Sequence, residues 1–222
     1  VNMVSHAHGQ GYADLHWLMP EVVADVDVRK GPYDAADGDF ATAGSVSFST
    51  RDRLDIPAPW FEARGGSFGT AHATALVPLG GAAGRTGGYL AGAFHRSDGP
   101  FERSQDYRRY NLFGKLTAPV GHDVELVASL SGFASDWNAS GQVPERAIAA
   151  GTITRFGSID PNEGGRTQRQ EASLALRSLE RGISHWEVRA FATHYQLKLY
   201  SDFTFYLNDT LNGDGIAQFD DR

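Results

Sequence analysis

Asp123-Val124-Glu125-Leu126-Val127-Ala128-Ser129-Leu130-Ser131-Gly132-Phe133-Ala134-Ser135 is the stretch that decides the fold class. Successive side chains of a strand point to opposite faces. Val124, Leu126, Ala128, Leu130 and Ala134 then share one face, and Asp123, Glu125, Ser129, Ser131 and Ser135 share the other. The period of two predicts a strand with one apolar and one polar side. Val127 and Phe133 are its two defects, apolar residues on the wet face.

The same pattern extends to both sides. Tyr110, Leu112, Leu116 and Val120 oppose Arg109, Asn111, Lys115 and Thr117, and Ala172, Leu174 and Leu176 oppose Glu171, Ser173 and Arg177. From Trp60 onward about seven strands are expected, near 60–68, 70–79, 87–97, 107–120, 123–135, 168–180 and 185–207. Short turns (Gly80–Arg85, Gly121-His122, Arg181-Gly182) alternate with long loops (Asp98–Asp106, Trp137–Gly165), apart from a tight corner at Gly69. Short turns at one end and long loops at the other are the arrangement of an outer-membrane barrel. The last strand, about 22 residues or roughly 70 Å at the usual rise, is too long for a soluble sandwich, whose strands run about 3–10 residues. Bacterial single-chain barrels close with even strand numbers. An odd count therefore predicts that the sequence stops before closure, with Asp220-Asp221-Arg222 inside another loop.

Composition sets the bounds. Cysteine is absent, which removes disulfides and thiolate metal sites. The formal charge is -7, and the basic residues are scattered among acidic ones. A nucleic-acid partner is not expected, because such binders carry a basic stripe. No apolar run approaches the roughly 18 residues of a membrane helix, but barrel strands need only about 10 alternating residues. Nucleophile elbows, phosphate loops and dinucleotide fingerprints are missing, so neither catalysis nor a cofactor is expected.

Residues 1–56 read as a separate unit and 57–222 as the strand-rich one. Pro20-Glu21-Val22-Val23 predicts a helical turn, because Pro fits the first helical position. Val26-Asp27-Val28 and Gly44–Thr50 alternate as short strands, Lys30-Gly31-Pro32-Tyr33 is a break, and Arg51–Pro59 looks like a linker.

Val22-Val23-Ala24-Asp25-Val26-Asp27-Val28-Arg29-Lys30-Gly31-Pro32 resembles the plug segment of TonB-dependent outer-membrane receptors. Asp37-Gly38-Asp39-Phe40-Ala41-Thr42-Ala43-Gly44-Ser45-Val46-Ser47-Phe48 resembles the closing strand of that plug, with Asp37 where Tyr is common. Glu62–Thr70 is similar to the first barrel hairpin of the family, and Trp137–Arg146 to one of its loops. The resemblance spans essentially the whole chain. It implies a mainly β fold: the C-terminal half of an α+β plug domain in 1–56, then the first part of an antiparallel transmembrane β-barrel of about 22 strands. It implies residence in the bacterial outer membrane against lipid. It also implies energy-coupled import of a scarce small ligand, such as a ferric siderophore, driven by a TonB complex through an N-terminal segment that this sequence does not include. Arg29, Lys30, Glu187 and Arg189 are the residues expected at the plug–barrel contact.

His6, His8 and His16 lie in a Gly-rich stretch. Three His can bind a metal, but no carboxylate stands at metal-motif spacing, and a polar loop explains them equally. If plug loops face the ligand, His6, His8, Gln10, Tyr12 and His16 are ligand-contact candidates, joined by Trp137, Arg155 and Phe156 from the long loop. Pro144–Gly151 predicts a short helix there. Asn212-Gly213-Asp214-Gly215 with Asp221 partly mimics a calcium loop, but Thr210 stands at its first position and Asp221 replaces the bidentate Glu. The alternative reading of the chain is a soluble all-β module of carbohydrate-binding type, or a simple porin-like protein. A soluble module would bury its apolar face in a core; a porin would lack the unit in 1–56.

Overall fold

Two antiparallel sheets account for nearly all of the regular structure. The computed structural model describes residues 14–37, 41, 43–80, 86–179 and 185–222. Strand makes up 55% of the chain, which settles the class as mainly β. The first sheet pairs β1 (Val23–Lys30) with β2 (Gly44–Thr50), placing Val26 opposite Phe48 and Val28 opposite Val46. A single turn of 3-10 helix at Pro20–Val22 leads into it, as the proline predicts. The second sheet contains β3 (Trp60–Gly65), β4 (Ala71–Gly80), β5 (Gly87–Ser97), β6 (Tyr107–Val120), β7 (Val124–Asn138), β8 (Gly164–Ser178), β9 (Glu187–Ser201) and β10 (Ile216–Asp221). Each strand pairs antiparallel with its sequence neighbours, in the spatial order β10 to β3.

The longest connections share one end of the sheet, as the alternation of turns and loops predicts. One end of the sheet carries 66–70, 98–106, 139–163 and 202–215; the opposite end carries the turn at Gly121–Asp123. That turn needs Gly121, whose φ of 75° is the left-handed region that L side chains resist. The expected turns at 81–85 and 181–182 lie outside the described residues. In the 139–163 loop, α1 (Glu145–Ala149) forms where Pro144 predicts it.

Two expectations are corrected. The last long strand is not one run over 185–207: it ends at Ser201. The Asp202 carboxylate there accepts the backbone N–H groups of Thr204 and Phe205, and Phe205 and Tyr206 adopt positive φ. Such side-chain acceptance diverts the backbone from the ladder. Ile216–Asp221, expected within a loop, instead forms β10 and pairs with β9. The large sheet therefore has eight strands, an even number. It is nonetheless open, because β3 and β10 each have a neighbour on one side only.

The two faces of the large sheet differ as the alternation requires. One face carries Leu90, Leu112, Leu116, Leu130, Leu174 and Val188, all exposed. Leu112, Leu130 and Val188 are 63%, 67% and 65% exposed, so no layer of the described chain covers this side. The opposite face carries Lys115, Glu125, Ser129, Arg169, Glu171 and Arg177, and residues 16–22 and 50–56 rest against it. The buried core lies at this junction. Met19 and Val22 pack on Leu76, Tyr89 and Ala91, with Leu54, Ile56, Ala93 and Phe113 around them. The apolar core thus forms locally within the polar face, beneath residues 19–22 and 54–56.

Candidate functional site

Polar contacts between the N-terminal unit and the sheet gather at two levels. At the first, Lys115 Nζ reaches Asp52 at 2.8 Å and donates to the Thr50 carbonyl and hydroxyl, each at 3.0 Å. Arg177 bridges Asp52 at 2.7 Å and Glu125 at 2.6 Å. Strand pairing explains the geometry, because Glu125 stands directly opposite Arg177 in the β7–β8 ladder. Burial opposes ionisation of Asp52, but the hydrogen bonds and charges of Lys115 and Arg177 outweigh it and hold the carboxyl below its usual range.

The second level lies toward the long-loop end. Asn111 Nδ2 donates to the carbonyls of His16 (2.9 Å) and Trp17 (3.1 Å). The Arg169 guanidinium sits 4.7 Å from the centre of the Trp17 ring, a cation–π contact. Beyond them opens a cavity of about 280 Å³, lined by Asp14 and His16 on one side and by Tyr107, Phe133, Ser135, Trp137 and Thr167 of the sheet on the other. His16 Nδ1 lies 2.9 Å from Asp14 Oδ1, which fixes the ring. The hydroxyls of Ser135 and Thr167 face each other across the β7–β8 ladder, and Arg109 faces Ser135 across β6–β7. Ser135 Oγ, Thr167 Oγ1 and Arg109 Nε are buried without a hydrogen-bond partner. Ser135 and Thr167 line the cavity, so their hydroxyls are polar groups it offers to a ligand. Aromatic walls with a few convergent polar groups are the usual make-up of a small-molecule site.

The candidates named from sequence divide three ways. His16 and Trp137, distant in the chain, come together in the cavity. His6, His8, Gln10 and Tyr12 lie outside the described residues. Arg155 and Phe156 pack on one another, guanidinium over ring at 5.2 Å, and stand outside the cavity lining. The expected plug–barrel contacts are differently engaged. Arg29 pairs with Asp27 (2.7 Å) and Asp34 (2.9 Å) in its own hairpin. Lys30 is exposed and makes no ion pair among the described residues. Arg189 pairs with Glu187 two residues away on its own strand, at 2.7 Å. The contact runs instead through Asp52, Lys115, Arg177, Asn111 and Arg169. Phe133, an apparent defect of the alternation, is one wall of the cavity, and that defect was the available signal for it.

The loops hold one further cluster. Arg103 donates to the carbonyls of Ala139 (3.0 Å) and Glu163 (2.9 Å) and to Asn138 Oδ1 (3.1 Å), tying two long loops together. Glu163 is buried and accepts the Asp202 N–H at 2.8 Å. Burial raises its carboxyl above the usual range, and the nearby Asp160 and Asp202 carboxylates add to the effect. In the calcium-like stretch, Asp214 accepts the Asn208 and Asp209 N–H groups and the Thr204 hydroxyl, while Asp221 bonds His194 and Gln196. Among the described residues no group of three or more His, Asp or Glu is placed to hold a metal ion.

Comparison of the chain with family models, with curated proteins and with solved structures returns no match.

Proposed function

We propose that this chain is a wall and plug segment of a TonB-dependent outer-membrane receptor, a non-enzymatic transporter for a scarce small ligand such as a ferric siderophore. One observation carries the reading: the apolar face of the large sheet is uncovered, while residues 16–22 and 50–56 occupy the charged face. Exposed apolar surface on this scale marks an interaction with lipid or another protein. Charges facing lipid near the bilayer midplane cost about 2–4 kcal/mol each, so a barrel keeps them inward. A lumen-filling unit is then held by the inward charges, the role assigned here to Asp52 with Lys115 and Arg177. The strands agree in length: β7, β8 and β9 each have 15 residues, against the roughly 9–11 needed to span a bilayer. The excess projects on the long-loop side, where the cavity opens. The open edges at β3 and β10 suit a sheet continued by further strands. No described helix is long and apolar enough to cross a membrane, which leaves strands untouched.

The test is uptake. Cells lacking the gene are given a panel of ⁵⁵Fe-loaded siderophores as sole iron, with and without collapse of the inner-membrane proton gradient. The reading expects gradient-dependent uptake of at least one panel member, restored by the intact gene. Trp137→Ala should reach the outer membrane at normal abundance yet weaken binding of that siderophore about 30-fold, the order for a central aromatic contact. Gradient-independent uptake, or uptake unaffected by loss of the gene throughout the panel, would contradict the assignment.

A further inference from the structure

The row next beyond the apolar band on the outward face is basic. Strand pairing sets Arg96 of β5 opposite Arg108 of β6, Arg108 opposite Asp136 of β7, Asp136 opposite Arg166 of β8, and Arg166 opposite Lys198 of β9. All five share the face of Leu112 and Leu130, because side-chain direction alternates along each strand. At about 4.8 Å between strands, the row spans roughly 19 Å. Arg108 is paired with Asp106 at 2.9 Å, whereas Arg166 and Lys198 have no ion pair among the described residues. On a chain of formal charge -7, four cations in one register row are not an average surface.

Directly below Arg96 and Arg108, the same face holds a groove of about 630 Å³. Its floor is Ala63, Ala75 and Gly92, and its walls are Phe61, Phe94 and Tyr110. The Phe94 and Tyr110 rings lie 5.1 Å apart at the rim. A charged row above an apolar groove matches an amphiphile with an anionic head and a hydrocarbon tail. Basic side chains at a membrane interface attract anionic headgroups, while apolar surface accepts the chain.

We propose that this is a lipid-binding site: Arg96 and Arg108 bind the phosphate of an anionic lipid, whose acyl chain lies in the groove between Phe61, Phe94 and Tyr110, while Arg166 and Lys198, two and three strands beyond Arg108, add to the positive field that attracts the headgroup. The site rests on the outward face meeting lipid, as proposed above, but makes a separate claim about headgroup charge.

The test uses the full-length protein in non-ionic detergent, titrated with phosphatidylglycerol, phosphatidylcholine or inorganic phosphate and read by native mass spectrometry. Phosphatidylglycerol should be retained in preference to phosphatidylcholine, and the triple variant Arg96→Gln/Arg108→Gln/Arg166→Gln should lose at least about tenfold of that preference. Gly92→Leu fills the groove without backbone strain, since an added Cβ would meet only the Asn111 carbonyl at 3.8 Å. It should weaken both lipids equally. Circular dichroism of each variant checks that the sheet is intact. Equal retention of phosphatidylglycerol by wild type and the triple variant overturns the site, as does full competition by millimolar inorganic phosphate, which would mean an anion site indifferent to lipid. A protein that stays monomeric without detergent and binds neither lipid instead overturns the membrane reading itself.

Discussion

Tyr89→Ala should detach residues 19–22 and 51–56 from the sheet, at a cost of about 3–5 kcal/mol for the lost ring and the cavity left behind. Tyr89 is fully buried and lies at the centre of the only apolar cluster the described chain builds between its two units. Its ring stacks on Phe113 at 5.7 Å, while Met19 and Val22 close the other side. Tyr89→Phe keeps the ring and should cost under about 1.5 kcal/mol. Hydrogen exchange reads the difference. The Arg51 N–H donates to the Val22 carbonyl at 2.9 Å, a bond that depends on this packing. Its exchange should accelerate by two orders of magnitude or more in Tyr89→Ala, with amides at the centre of β7 unaffected. Unchanged protection at Arg51 would mean that the cluster does not hold the unit in place.

Asp52→Ala should be the next largest, at about 2–3 kcal/mol, because it leaves the largely buried Lys115 ammonium without its counter-charge. Arg177 keeps Glu125 and is less affected. The effect carries a pH signature. The Asp52 carboxyl is held below the ordinary aspartate range in the folded protein by the Lys115 and Arg177 charges. A depressed carboxylate contributes stability that is present above its unfolded pKa and is lost as pH falls through the folded value. Wild-type protection at Thr50 and Arg51 should therefore decline below about pH 4. Asp52→Ala should start lower and lack this step. An identical acid profile in both proteins would remove Asp52 from the tether.

How much of this was legible in sequence depended on the range of the interactions. Strands 87–97 and 107–120 match their expected limits, because Gly or Pro stands near their ends and marks them. Alternation alone overshot in β9: Phe203 and Phe205 continue the rhythm past Ser201, but Asp202 captures the following N–H groups and turns the chain. The facing of Ile216–Asp221 onto β9 is a pairing between segments, and six residues after a polar loop do not announce it. The contacts between the two units that the described residues show were not foreseen, for a similar reason. Arg29 has acidic neighbours two and five residues away, and it pairs with those. Asp52 and Arg177 are 125 residues apart, a pairing that no local pattern encodes. His16 and Trp137 were named separately as ligand contacts, but only the fold brings them to one cavity. Its hydroxyl lining, Ser135 and Thr167, reads in sequence as ordinary polar-face residues.

Accessibility along β6 tests the central claim most directly. The chain has no cysteine, so single nitroxide labels can be placed in it one at a time, on the full-length protein in phospholipid bilayers with any cysteine elsewhere replaced. Labels at 110, 112, 116 and 120 should collide readily with oxygen, which concentrates among acyl chains. Labels at 111, 113, 115 and 117 should be shielded by residues 16–22 and 50–56. A period-two alternation in that phase is the expected result. Loss of the alternation, or apolar positions accessible only to a water-soluble relaxant, would contradict the account.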